Sequence, residues 1–177
     1  MSGSRIIGWG SNLPEKKLTN HDLSSMMDTR DEWIVERTGI SSRHVGGSTG
    51  TMSIHAGQQA LDRAGLTGDD IDLVIVATST PDQLMPGTSA TVHAELGIRG
   101  GACDMQAVCS GFTYGLTAAN GLINTGLDRI LVIGLTHPIE ASVNEATAQE
   151  RTAEFGNPMY LFGKVLNSLM LSPIEML

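Results

Sequence analysis

The chain has 177 residues and a formal net charge of −8 at pH 7, and this length suits one globular domain or part of a larger one. The acidic balance disfavours nonspecific nucleic-acid binding, which needs clustered lysine and arginine to neutralise phosphates. No run approaches the roughly 18 uninterrupted apolar residues of a membrane span. From the charge and the apolar runs together, we expect neither a nucleic acid nor a membrane as partner.

The cysteine count and the N-terminus bear on the compartment. Two cysteines provide no disulfide framework, which is typical of a reducing, cytoplasmic environment. The opening stretch MSGSRIIGWG has no basic segment followed by a long apolar one, so we expect no signal peptide.

Three elements and a loop are predicted in the first part of the chain. Thr19 and Asp22 have the spacing of a capping box, with Asp in place of the usual Glu or Gln, and they open a helix. Gly39 stops a second short helix. The segment SSRHVGGSTGT predicts a loop by its composition. The predicted bounds are a strand over 5–10, helices over 18–29 and 30–39, and the loop over 41–51.

From residue 52 onward, helix and strand patterns alternate. The run IDLVIVATS is apolar and rich in β-branched residues, as in strands buried on both faces of a parallel sheet. Gly57 lies on the apolar face of its helix, where it lets a neighbouring element pack closely. This alternation predicts an α/β layered fold with a largely parallel sheet. The predicted helices cover 52–66, 86–98 and 110–126, and the predicted strands cover 71–79, 101–108 and 128–135.

Cys109 lies between a predicted strand and a predicted helix. The carboxyl edge of a parallel sheet is where α/β proteins usually build sites. A helix N-terminus favours an anion, and the thiolate is the nucleophilic form of cysteine. Free N–H groups there can also stabilise an oxyanion. The alternative is a buried structural cysteine, since free cysteine is among the most buried residue types. The local pattern leaves both interpretations open.

The remaining motifs are weak. Cys103 lacks such a setting and is predicted to fill the core. The stretch GWGSNL has Leu13 where a dinucleotide loop needs its third glycine, and GGSTGT lacks the ending of a P-loop. No histidine has metal-ligand spacing with the cysteines, so we predict no metal. His137 follows a predicted strand, and either an approach to the site or a plain surface position fits it.

Four stretches fit one family together: DTRDEWIVERTGI (28–40), DIDLVIVATSTPD (70–82), MPGTSATVHAELGI (85–98) and CDMQAVCSGFTYGL (103–116). They resemble the N-terminal half of a β-ketoacyl-acyl carrier protein synthase III, a member of the thiolase-like superfamily. The first and last stretches are its specific signatures. The family fold has two similar halves in a five-layer α-β-α-β-α sandwich. The resemblance therefore implies a mixed, largely parallel sheet with helices on both faces.

The resemblance also implies an acyltransferase. In the family an acyl group moves from coenzyme A to an active-site cysteine, which Cys109 matches, and covalent catalysis divides the transfer into two easier steps. Malonyl-acyl carrier protein then loses carbon dioxide, and the resulting carbanion attacks the acyl thioester in fatty acid or polyketide biosynthesis. The implied partners are acyl-CoA as substrate, acyl carrier protein and a second copy in a homodimer, with no bound cofactor.

Further residues match family positions one by one. Trp33 and Arg37 match the coenzyme A-binding pair, in which Trp stacks on adenine and Arg contacts phosphate or adenine polar groups. Thr29 matches another position that contacts adenine, and Arg151 matches a further coenzyme A-contacting arginine. Met85 matches the position that lines the acyl pocket of the partner subunit.

The last part of the chain departs from the family. The family's Pro-His-Gln-Ala-Asn and Gly-Asn-Thr-Ser stretches do not occur, and its Phe-Gly-Asp-Gly element is replaced by FGKVLNSLMLSP from Phe162 onward. We therefore expect an N-terminal thiolase-like domain over 1–163, a divergent apolar tail over 164–177, and a gene truncated or frameshifted near residue 163. The tail lacks a polar face, and a helix is one interpretation of it.

Three alternatives stay open beside the synthase III interpretation. They are another thiolase-like condensing enzyme, a noncatalytic partner subunit and an inactive remnant. The stretch DTRDEWI favours synthase III, and Cys109 disfavours the long-evolved noncatalytic subunits, which typically lack that cysteine. The family implies an enzyme, and the sequence leaves open whether this chain is active alone.

Overall fold

A computed structural model describes residues 4–135 and the backbone of residues 167–173. The described residues fall into two units, one formed by 4–13, 48–135 and 167–173 and the other by 14–47. In chain order the elements are β1 (Ser4–Gly10), β2 (Lys17–Thr19), α1 (Asn20–Met26), α2 (Asp31–Thr38), β3 (Ser42–His44), α3 (Thr49–Ala64), β4 (Leu73–Thr78), α4 (Thr88–Glu95), β5 (Gly101–Met105), α5 (Gly111–Asn124), β6 (Ile130–Leu135) and β7 (Asn167–Pro173).

The first unit is built on one five-stranded sheet in the order β1-β7-β6-β4-β5. β4 is parallel to both β5 and β6, whereas β7 is antiparallel to both β6 and β1. The sheet is therefore mixed, and the parallel trio at its centre and one edge confirms the predicted largely parallel arrangement.

Apolar side chains cover both faces of the central strands. Val74 and Val76 of β4 pack in one cluster with residues of α3 and α4, while Ile75 packs with α5 on the opposite face. All three are at most 1% exposed, so the apolar run of β4 reflects burial on both faces, as predicted. Gly57 also packs as predicted, because a Cβ there would lie 2.8 Å from Leu96 Cδ1.

The second unit contains α1, α2 and the antiparallel pair of β2 and β3. The predicted capping box is present: Thr19 N donates to Asp22 Oδ2 (2.8 Å), and Asp22 N donates to Thr19 Oγ1 (3.2 Å). The Thr19 hydroxyl and N–H hold the pKa of the Asp22 carboxyl below its ordinary value. Gly39 ends α2 with a φ of +69°, which confirms its predicted role.

Two predicted segments before the tail differ from the structure. The loop over 41–51 instead contains β3 and the start of α3, whose first turn is capped when Thr51 N donates to Ser48 Oγ (3.1 Å). The strand predicted to run to residue 108 ends at Met105, because the chain turns directly afterwards.

The apolar tail forms β7 rather than a helix. Its backbone pairs with β1 on one side and with β6 on the other, so this segment is an interior strand of the sheet. The domain boundary at residue 163 stays a prediction. None of the helices in the described part of the chain combines the length and the apolar character that crossing a bilayer requires.

Candidate active site

Cys109 lies in a single 3-10 turn, Val108–Ser110, that joins β5 to α5. Ser110 N donates to Ala107 O (3.0 Å), which closes the turn. The Cys109 side chain is exposed, so it is not part of the core of the described residues. The predicted passage from strand to helix at this cysteine is confirmed.

Val108 gives this turn an unusual backbone. Its φ of +46° lies in the left-handed region, which β-branched residues rarely adopt. Such strain costs about 1–3 kcal/mol and is found preferentially at active sites and ligand clamps. The Val108 side chain is 66% exposed, so little burial compensates for the strain. The strained residue places the thiol of its neighbour outside the regular path of β5.

Two glycines seat α5 closely on the sheet. A Cβ at Gly115 would lie 3.0 Å from Val132 Cγ1, and a Cβ at Gly111 would lie 3.4 Å from Ala77 Cβ. The glycine face of the helix is therefore deeply packed. Ser110 forms the N-cap without a side-chain hydrogen bond. The start of α5 thus presents N–H groups that no capping side chain occupies, a suitable setting for an anion.

Cys103 occupies a different environment from the one predicted. It lies on β5, the edge strand of the sheet, and is exposed, so its predicted position in the core is wrong. The outer side of an edge strand has no neighbouring strand to bury it, which the apolar character of the segment does not reveal. Partial desolvation raises the pKa of the Cys103 thiol, and the Asp104 carboxylate adds to this effect.

Trp33 and Arg37 lie one turn apart on α2, in the second unit. The Arg37 guanidinium carbon is 5.5 Å from the centroid of the Trp33 ring, within the range of a cation–π contact. Trp33 is half-buried and Arg37 is exposed. Beside them lies an open surface cavity of about 430 Å³ lined by Arg30, Glu32, Trp33 and Glu36. The cavity offers one aromatic side chain and charges of both signs.

The other predicted site residues are distributed between the units. Thr29 precedes α2 in the second unit, and its Oγ1 is buried with no hydrogen-bond partner among the residues that the structure describes. Met85 lies in the first unit, in the loop before α4, and is 88% exposed. Arg151 and His137 lie outside the described residues.

Sequence reasoning missed three residues. No sequence signal marks the left-handed Val108, since valine is among the residues least suited to that conformation. Asn20 and Arg43 are 1% and 4% exposed and form a buried polar pair. Arg43 lies within the segment 41–51, whose composition predicts a loop. Its burial requires the pairing of β2 with β3, which that composition does not reveal.

Comparison with known proteins identifies one family. Residues 103–149 match the model of 3-Oxoacyl-[acyl-carrier-protein (ACP)] synthase III. The Beta-ketoacyl-[acyl-carrier-protein] synthase III of Sinorhizobium medicae (strain WSM419) is 50% identical over 139 residues, which cover 76% of this chain and 43% of the relative. That of Neisseria meningitidis serogroup A is 48% identical over 140 residues, covering 76% and 44%. The chain spans less than half the length of these curated relatives.

Solved structures of similar fold agree with this family assignment. The 3-oxoacyl-[acyl-carrier-protein] synthase III from Aquifex aeolicus VF5 has a TM-score of 0.83 at 34% sequence identity, covering 98% of this chain and 55% of that chain. The priming β-ketosynthase from the R1128 polyketide biosynthetic pathway has a TM-score of 0.84 at 28% identity, covering 98% and 51%. The mixed sheet with helices on both faces is thus the thiolase-like fold over about half of such chains.

Proposed function

Because this chain belongs to the 3-oxoacyl-[acyl-carrier-protein] synthase III family, we propose that it carries the acylation site of that family's reaction. In this step the Cys109 thiolate attacks the thioester carbonyl of an acyl-CoA. The bond between that carbonyl and the coenzyme A sulfur breaks, coenzyme A leaves as its thiolate, and the acyl group stays on Cys109. The observation that carries the proposal is the position of Cys109: exposed, in a strained turn, directly before α5.

The start of α5 supports the chemistry of this step. Attack on the thioester creates a tetrahedral oxyanion, which preorganised N–H groups stabilise. Because the Ser110 side chain accepts no hydrogen bond from α5, it does not compete for the first-turn N–H groups. Close seating of Gly111 and Gly115 on the sheet keeps those N–H groups in fixed positions.

We assign the binding of coenzyme A to Thr29, Trp33, Arg37 and Arg151. The half-buried Trp33 ring supplies a stacking face for adenine, and the Arg37 guanidinium beside it suits phosphate. The orphaned Oγ1 of Thr29 is a buried group that a polar ligand atom would satisfy. The assignment of Arg151 rests on the family resemblance alone.

In the family this acylation precedes condensation with malonyl-acyl carrier protein in fatty acid biosynthesis, and we propose that pathway for this chain, with acyl carrier protein as partner in the cytoplasm. Both described cysteines are unpaired, which suits a reducing compartment. A priming role in polyketide biosynthesis is the second candidate, and the similarity to the R1128 priming β-ketosynthase favours it.

We also propose a homodimer in which Met85 reaches the acyl pocket of the partner subunit. Leu84 and Met85 are both 88% exposed, and the exposed edge strand β5 lies beside the end of their loop, where Ser89 N donates to Asp104 Oδ1 (2.8 Å). Unpaired edge strands are templates for association. Light scattering should give twice the chain mass, and a Met85→Asp variant should shift it toward the monomer. A monomeric parent chain would contradict the homodimer.

Acyl transfer to a single residue tests the proposed function. The chain is incubated with acetyl-CoA, quenched in acid and cleaved before Asp104, which separates the two cysteines. We expect one acetyl group per chain on the fragment that contains Cys109. The Cys109→Ala variant should carry none, while Cys103→Ala should be acetylated like the parent. Acetylation that survives Cys109→Ala would contradict the proposal.

A further inference from the structure

The side-chain amide of Asn20 joins the two ends of α2. Its Nδ2 donates to Asp31 Oδ1 at the first residue of the helix (2.7 Å) and to Ile40 O just beyond the last turn (2.7 Å). Its Oδ1 accepts from Arg43 Nη2 (2.5 Å). Asn20 is 1% exposed, so water does not compete for these contacts. One buried group therefore ties the start and the end of α2 to the rest of its unit.

The surrounding chemistry fixes the orientation of this amide. Arginine only donates hydrogen bonds, whereas a carboxylate and a backbone carbonyl only accept them. The amide oxygen must therefore face Arg43, and the NH₂ group must face Asp31 and Ile40. Arg43 is 4% exposed, burial lowers the pKa of its guanidinium, and its Nε and Nη1 have no partner among the described residues. Within this part of the chain, Asn20 supplies the acceptor for that buried cation.

The helix held in this way is the one that presents the proposed nucleotide contacts. Trp33 and Arg37 both lie on α2, and Trp33 and Glu36 line the adjacent cavity. Ile34 is the buried residue of α2, and it anchors the helix laterally. Apolar contact alone permits sliding and rotation, because it has no directional preference. The two directional hydrogen bonds of Asn20 restrict both movements.

We propose that Asn20, oriented by Arg43, is a positioning residue that sets the geometry of Trp33 and Arg37 for the adenosine phosphate portion of coenzyme A. This inference rests on the proposed function, since it assigns the ligand of the same helix. Stacking and charge contacts require precise placement, and a displacement of about 1 Å in a positioned group is enough to lower function by orders of magnitude.

The fluorescence of Trp33 measures the binding of coenzyme A in the test. The chain has two tryptophans, so in a Trp9→Phe background the fluorescence belongs to Trp33 alone. Coenzyme A is titrated as the probe, and its quenching of Trp33 gives the Kd. We expect Asn20→Ala to weaken binding at least about tenfold, as a mispositioned contact does. Leu23→Ala is the matched control, because Leu23 is a buried residue of the same helix α1 and destabilises the unit without touching the amide. Its Kd should stay within about twofold of the parent at a temperature where both are folded.

A polarity reversal provides a rescue if Asn20→Ala fails to fold. Asn20→Asp leaves two carboxylates facing one another and should weaken binding, whereas in Asp31→Asn the new amide oxygen still accepts from Asn20. Combined, they restore a donor–acceptor pair between residues 20 and 31, with residue 31 now donating, while Arg43 still has its acceptor and Ile40 O alone loses its donor. We expect the double variant to bind coenzyme A at least about threefold more tightly than Asn20→Asp alone.

The outcomes separate this inference from the proposed function. If Trp33→Ala abolishes coenzyme A-dependent protection of Cys109 from alkylation but Asn20→Ala binds like the parent, Asn20 is no positioning residue and the proposed function stands. If Leu23→Ala weakens binding as much as Asn20→Ala, the effect is general destabilisation and the inference is overturned. If the parent chain shows no binding of coenzyme A, the proposed nucleotide site fails and the inference fails with it.

Discussion

The turn that carries Cys109 and the strand that carries Cys103 are close neighbours in sequence and have opposite characters. Cys103 lies in a regular strand, in register with Ile75 of β4, and desolvation, together with the Asp104 carboxylate, raises the pKa of its thiol. Cys109 lies where that strand has ended, beside a left-handed valine and in front of an uncapped helix. Exposure does not separate the two, since both side chains are exposed.

This difference indicates that backbone geometry, rather than accessibility, distinguishes a candidate nucleophile from a bystander. A side chain on a strand points away from the plane of the sheet, toward whatever covers that face. A residue in the turn after the strand points along the sheet edge toward the helix N-terminus. The following variants test whether the reactivity of Cys109 depends on the packing of α5 and on the strained residue Val108. The reactivity of Cys103 should not depend on either.

The largest effect is expected when a side chain is added where α5 packs closely on the sheet. A Cβ at Gly134 of β6 would lie 2.6 Å from Phe112 Cδ2 and 2.9 Å from Phe112 Cβ, so Gly134→Ala must displace the first turn of α5. We expect it to lower the free energy of unfolding by about 1–3 kcal/mol, as overpacking does. Alkylation of Cys109 should slow more than that of Cys103. Urea denaturation and mass spectrometry measure the two effects.

Gly121→Ala is the matched control, because Gly121 lies on the same helix and a Cβ there would meet nothing within 4 Å. This change should raise the free energy of unfolding by about 0.5–1 kcal/mol through helix propensity. Equal destabilisation by both variants would contradict the close seating of α5.

A smaller effect is expected from relief of the strain in the turn. Val108→Gly removes the cost of the left-handed conformation and loses little burial, since Val108 is 66% exposed. We expect a gain of about 1 kcal/mol in the free energy of unfolding, together with slower alkylation of Cys109 and unchanged alkylation of Cys103. The control Val35→Gly, at an exposed position of α2, should lose about 0.5 kcal/mol. Destabilisation by Val108→Gly would show that the turn is not strained.

Local signals predicted much of the fold. The capping box of Thr19 and Asp22, the glycine stop at Gly39 and the two-sided apolar run of β4 depend on short-range chemistry that the sequence displays directly. The position of Cys109 between strand and helix followed from the same local patterns.

The remaining features depend on long-range contacts. The edge position of β5, which exposes Cys103, follows from the order of strands in the sheet. The burial of Arg43 requires the pairing of β2 with β3 and the amide of Asn20. The tail forms β7 because β1 and β6 lie on either side to pair with it. None of these partners can be identified from the neighbouring sequence.

The relative alkylation rate of the two thiols tests most directly the claim that Cys109 is the reactive cysteine. The chain is treated with limiting iodoacetamide at pH 7, with and without acetyl-CoA, and cleaved before Asp104 so that each cysteine is counted separately. Because the pKa of Cys103 is raised above the ordinary thiol value of 9.0, its thiolate is scarce at pH 7 and its rate should climb as the pH rises past that value. We predict that Cys109 reacts about tenfold faster at pH 7, that the ratio narrows with rising pH, and that acetyl-CoA protects Cys109 alone. Equal or faster alkylation of Cys103, or its protection by acetyl-CoA, would contradict the claim.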